Sequence, residues 1–129
     1  MTGSYSYTTA TWRAAGDNTT SGQTRLEFVL GQQLEPVTLE AHGPHVINTT
    51  NSDVAVGIGI GSTSANSADV YGGTGNGTYG NVLAYYSGFP GTGYNYGQWL
   101  EISTASGTST WYLASGSVYQ VGLVGESYQ

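Results

Sequence analysis

The sequence predicts an all-β fold: a two-sheet antiparallel sandwich, jelly-roll-like, of eight or nine strands, with residues 1–129 forming a single domain. Three observations carry this. The chain has 21 glycines and 11 tyrosines among abundant Ser and Thr, which suits short strands joined by turns and disfavours helices. Apolar and polar residues alternate over segments of roughly five to nine residues. Turn signals recur about every 8–15 residues, as in two packed antiparallel sheets. An immunoglobulin-like Greek key is the alternative, although the Cys, Trp, Cys pattern of that fold is absent.

Taken in order, Ser4 to Trp12 (SYSYTTATW) is β-prone with little core-grade residue on either face, which predicts an edge strand or a subunit contact. Gly16-Asp17-Asn18 and Thr19 to Gly22 form a polar turn region. From Thr24 to Gly31 the parity is clean, with Leu26, Phe28 and Leu30 inward and Arg25 and Glu27 outward. Pro36 opens a strand over Val37 to His42, with Val37, Leu39 and Ala41 inward, and Gly43-Pro44 breaks it. His45 to Asn48 resumes as a short strand.

Asp53 to Gly61 (DVAVGIGIG) alternates most strictly, placing Val54, Val56, Ile58 and Ile60 on one face and Ala55, Gly57, Gly59 and Gly61 on the other. Glycines along one face of a strand mark close approach, so a Trp or Tyr ring, from this chain or from a neighbouring one, is expected against Gly57, Gly59 and Gly61. Ser62 to Asn66 reads as a turn, Ala68 to Tyr71 as a short strand, and Gly72 to Gly80 as a flexible loop. Val82 to Ser87 is a strand with tyrosines on both faces, Tyr85 among them.

Tyr94 to Tyr112 (YNYGQWLEISTASGTSTWY) reads as a central hairpin turning at Ala105-Ser106-Gly107. In its first arm Tyr94, Tyr96, Leu100 and Ile102 make the oily face, and Trp99, Glu101 and Ser103 the other. Val118 to Val124 forms the last strand.

Composition narrows the function. Arg13 and Arg25 are the only basic side chains besides two histidines, lysine is absent, and the net charge is −6, which excludes an electrostatic grip on nucleic acid or anionic lipid. With 8% charged residues, the surface suits packing against copies of itself or against sugars. The chain has no cysteine, so disulfides and thiolate metal sites are excluded. Met1 to Ser4 lacks the basic start and apolar run of a signal peptide, and no window approaches a membrane span. The sequons at Asn18, Asn48 and Asn76 read as chance in so Asn- and Thr-rich a chain.

Reactive constellations are weak. Gly75 to Gly80 (GNGTYG) fits G-x-G-x-x-G but lacks the preceding strand, following helix and downstream acid of a dinucleotide site. Glu40, His42 and His45 carry metal-ligand chemistry, yet read first as solvent-facing groups beside a turn. At a threefold axis, single His or Glu residues from three chains could collect an ion. The eight carboxylates are scattered, and Glu101 beside Trp99, the most suggestive of them, reads as a strand carboxylate at an edge or paired with Arg13 or Arg25. No Ser, His and Asp set has a nucleophile context. No catalytic residue, cofactor or metal is therefore expected. The surface candidates for an interface or ligand are Trp12, Gly57, Gly59, Gly61, Tyr85, Tyr94, Tyr96, Trp99 and Glu101.

Phe89 to Tyr112 (FPGTGYNYGQWLEISTASGTSTWY) with Gln120 to Glu126 (QVGLVGE) resembles the C-terminal portion of small structural proteins of tailed bacteriophages. Tyr7 to Ala15 (YTTATWRAA) is similar in flavour, and together these cover about half the chain. The resemblance implies a virion component, either a capsid decoration protein or the jelly-roll head of a fibre, commonly trimeric. No heptad or collagen-like stalk is present, which favours decoration. The expectation is a non-enzymatic virion surface protein, a homo-oligomer and most simply a trimer, whose partners are copies of itself and the major capsid protein. A glycan-binding module for host attachment is the alternative.

Overall fold

A computed structural model describes residues 3–17, 24–43, 45–48, 52–71, 73–75, 82–104, 108–113 and 122–127. The turns expected at 18–22, 76–80 and 105–107, and the start of the last strand at 118–121, lie outside these residues. The strands are β1 (Gly3–Tyr7), β2 (Arg13–Ala14), β3 (Arg25–Leu30), β4 (Val37–His42), β5 (His45–Asn48) and β6 (Ser52–Ile60). They continue with β7 (Asp69–Tyr71), β8 (Gly73–Gly75), β9 (Leu83–Gly88), β10 (Gly93–Ser103), β11 (Ser109–Leu113) and β12 (Gly122–Glu126). A single 3₁₀ turn at Ala15–Asp17 follows β2. Among the described residues no helix is long and apolar enough to cross a membrane.

The pairing is nested: β3 with β10, β4 with β9, and β6 with β8. The β10–β6 and β9–β7 pairs then join these into sheets. That is an antiparallel ribbon wound into a jelly roll. Among the described strands none pairs with its immediate sequence neighbour, whereas an immunoglobulin-like Greek key contains such hairpins.

One sheet has the order β2-β10-β6-β8 with β3 also on β10, and the β1-β11-β5 ladder carries the same lines onward. Along one side of the β11–β10 line run β1, β2 and β3 in turn, and along the other run β5 and β6. The second sheet has the order β12-β4-β9-β7. The sheets pack through β6 against β4, β9 and β7, and through β12 against β3.

The expected hairpin is corrected here: β10 and β11 do not pair with each other. Each finds long-range partners, and β11 extends the line of β10 along the sheet. The loop expected at 72–80 is corrected in part, since Gly73–Gly75 pairs with Ser52 to Val54 of β6. The β-prone stretch over Ser4 to Trp12 stays in a ladder only as far as Tyr7, at a sheet edge.

Between the sheets lie Val54, Val56 and Ile58 of β6, Val37, Leu39 and Ala41 of β4, Leu30, Ala84, Trp99 and Trp111. β3 and β4 face inward with the residues their alternation predicts, Leu26 and Phe28 being partly buried against this core. β10 does not. Residues directly opposite in an antiparallel pair share a face. Trp99 opposes Ile58 and Glu101 opposes Val56, so the inward set is Gly97, Trp99, Glu101 and Ser103. A Cβ on Gly97 would stand 2.5 Å from Leu39 Cδ1 of the other sheet. Trp99 brings more apolar area to the core than Tyr94 or Leu100 could, and it settles the parity.

Candidate functional site

The glycine strip on the outer face of β6 is covered by this chain's own next segment. Asn66 Oδ1 accepts the Ile58 N–H at 2.9 Å and the Ala68 N–H at 3.1 Å, while Asn66 Nδ2 donates to the Ala68 carbonyl at 2.8 Å. Ser67 N–H donates to the Ile58 carbonyl at 2.8 Å, so residues 62–68 satisfy an edge of β6 that no strand covers. The approach needs bare backbone. A Cβ on Gly57 would meet Asn66 Oδ1 at 2.5 Å and Trp12 Cζ3 at 2.9 Å, and one on Gly59 would meet the Ala65 carbonyl at 2.9 Å. The expected ring is Trp12, over Gly57 alone. Gly61 is exposed, with φ of 61° and no atom near its missing Cβ.

Four interface candidates are therefore corrected. Gly57 and Gly59 are buried beneath residues of their own chain. Trp99 and Glu101 are 1% and 0% exposed, on the inward face of β10 and not on its outer face. Arg13 is the residue directly opposite Glu101 in the β2–β10 register, the neighbour the sequence suggested. Trp12, Gly61, Tyr85, Tyr94 and Tyr96 keep at least part of their surface.

On the outer face of the first sheet, Tyr94 opposes Val29 and Tyr96 opposes Glu27. The Arg25 guanidinium lies 4.1 Å from the centre of the Tyr96 ring while its Nε donates to Gln98 Oε1 at 3.0 Å. Tyr94 and Tyr96 stand 6.5 Å apart, tilted by 47°. A hydrogen bond to Glu27 raises the Tyr94 phenol above its ordinary pKa, with some desolvation and the Glu27 charge acting in the same direction.

Val29 and Tyr94 also belong to a set of exposed apolar residues at one end of the fold that periodicity did not single out. Val29, Leu34, Phe89 and Tyr94 are 61–67% exposed. They sit where β3 ends, β4 begins, β9 ends and β10 begins, all at one end of the sandwich. The two loops there are tied by Gly91 N–H donating to Gln33 Oε1 at 3.0 Å, and Asn95 Nδ2 donates back to the Gly91 carbonyl at 2.8 Å. Gly91 and Gly93, at φ of 104° and 94°, make the turn that side chains would resist. Leu34 falls in a polar loop, so only the fold could bring it to this end.

The second sheet presents a different surface. Glu40 and His42 do share the outer face, with His42 Nε2 3.1 Å from Glu40 Oε1. His45 starts β5, which pairs with β11 in the other sheet, and its side chain is outside what is described. Among the described residues no three His, Cys, Asp or Glu side chains gather as a metal site. Scanned against protein-family models, curated proteins and solved structures, the chain matches none.

Proposed function

We propose that the chain is a non-enzymatic structural protein of the virion surface of a tailed bacteriophage, a capsid decoration protein acting as a homo-oligomer, with three copies as the expected state. The observation that carries this reading is the apolar end formed by Val29, Leu34, Phe89 and Tyr94. Large apolar side chains left exposed at one end of a fold mark a candidate contact site, and the two loops that carry Leu34 and Phe89 here are tied by the bond between Gly91 and Gln33. Support also comes from the low charged fraction of 8%, which lets copies approach without desolvating many ions. The jelly-roll winding and the resemblance of the segment from Phe89 to Tyr112 point the same way. The major capsid protein is the further partner this role requires.

Light scattering on the purified chain, with glycan-array binding in parallel, separates this from the glycan-binding module. A stable trimer that ignores sugars is the expected result. A monomer that binds sugars overturns it and transfers the exposed tyrosines to host attachment.

A further inference from the structure

The outer face of the β12-β4-β9-β7 sheet lies opposite the sheet that carries Val29 and Tyr94, and its chemistry differs. Across it Val124, Glu40, Tyr85 and Asp69 stand in one row, each directly opposite the next in register. Adjacent strands are about 4.8 Å apart, so Glu40 and Asp69 flank the Tyr85 ring roughly 10 Å from each other. Glu126 opposes Thr38 in the neighbouring row and belongs to the same face. Thr38, Glu40, Tyr85, Val124 and Glu126 line a shallow depression of about 280 Å³. Tyr85 is 42% exposed and Val124 57%.

We propose that this face docks a cationic partner, a protein segment bearing arginine or lysine, with one cation resting on the Tyr85 ring between Glu40 and Asp69. An aromatic face attracts a cation through its quadrupole, and carboxylates on both sides complete the charge match. Cover by a neutral molecule would desolvate Asp69, and Glu40 with the His42 ring 3.1 Å from it, with no new charge to offset the loss, which disfavours it. A second copy of this chain does not supply the cation: Arg25 is stacked on its own Tyr96, and the Arg13 guanidinium donates to Thr9 and Thr11. The partner is therefore a different polypeptide. This inference stands independently of self-association at the apolar end.

Titration calorimetry of the full chain with a hexa-arginine peptide, repeated at rising salt, tests it. Wild type binds, and salt weakens the binding. Tyr85→Ala weakens it about threefold or more while Tyr85→Phe retains it. The double variant E40Q/D69N loses about tenfold, whereas E35Q/D53N, which removes two exposed carboxylates elsewhere, changes it by less than about twofold. NMR shift mapping on the wild type, which does not depend on any variant folding, places the peptide at Tyr85, Glu40 and Asp69. Equal losses in the two double variants reduce the effect to general attraction by an acidic chain and overturn the proposal. Shifts elsewhere, or binding of neutral oligosaccharides but not the peptide at this face, overturn it as well.

Discussion

Gly59 shows how closely a residue's identity is bound to its surroundings. The Ala65 carbonyl would stand 2.9 Å from a Cβ there, and the Ser62 carbonyl nearer still. Backbone cannot rotate away as a side chain can, so Gly59→Ala is expected to cost about 1–3 kcal/mol in denaturant unfolding. Tyr94 makes a second residue-scale prediction. Its phenol is raised by the hydrogen bond to Glu27, so the proton held in the folded state favours folding below the unfolded value near 10. That contribution is lost as pH rises through the raised folded value. Burial raises Tyr86 as well, so absorbance titration at alkaline pH is expected to lose one of its late-ionising tyrosines, not all, in Tyr94→Phe, and that one moves toward the ordinary value in Glu27→Gln. The sequence supplied the glycine strip and the need for something close above it. It could not supply Asn66, because a side-chain amide bonding back to Ile58 leaves no periodic trace.

At the scale of the element, alternation located strands better than it located their partners. Val37 to His42 matches β4 at both ends, because Pro36 and Gly43 bracket an unbroken inward row. In β10 the alternation was visible but its sense was not: buried residues run without a break from Gly97 to Glu101, since on the outer face Leu100 lies directly opposite Gly57, which Trp12 and Asn66 overlie. Leu100 is accordingly 0% exposed on the side away from the core. The segment at 62–68 is the element that most invites a test. Asn66→Ala removes the acceptor for the Ile58 and Ala68 N–H groups and is expected to cost about 1–3 kcal/mol. Hydrogen exchange at the Ile58 amide should accelerate more than exchange in β4. Uniform acceleration in both would mean the segment does not act as a separate cover.

For the whole molecule, the hairpin expected from Tyr94 to Tyr112 failed for a topological reason. In a jelly roll each strand's partner lies far along the chain, as β3 with β10 and β4 with β9, so local turn residues say little about pairing. Two-sheet architecture was legible from strand count and turn spacing, while the convergence of Leu34, Phe89, Val29 and Tyr94 required the winding itself. The same winding buries Trp99 and Trp111 in the single chain, and the proposed self-association assigns the meeting of copies to the exposed apolar end. The most direct measurement is sedimentation equilibrium of wild type beside the double variant Val29→Asp/Phe89→Ser, with circular dichroism to check folding. The expected result is a trimer for wild type and a folded monomer for the variant. A wild type that stays monomeric at every concentration, or a variant that remains trimeric, would contradict the account.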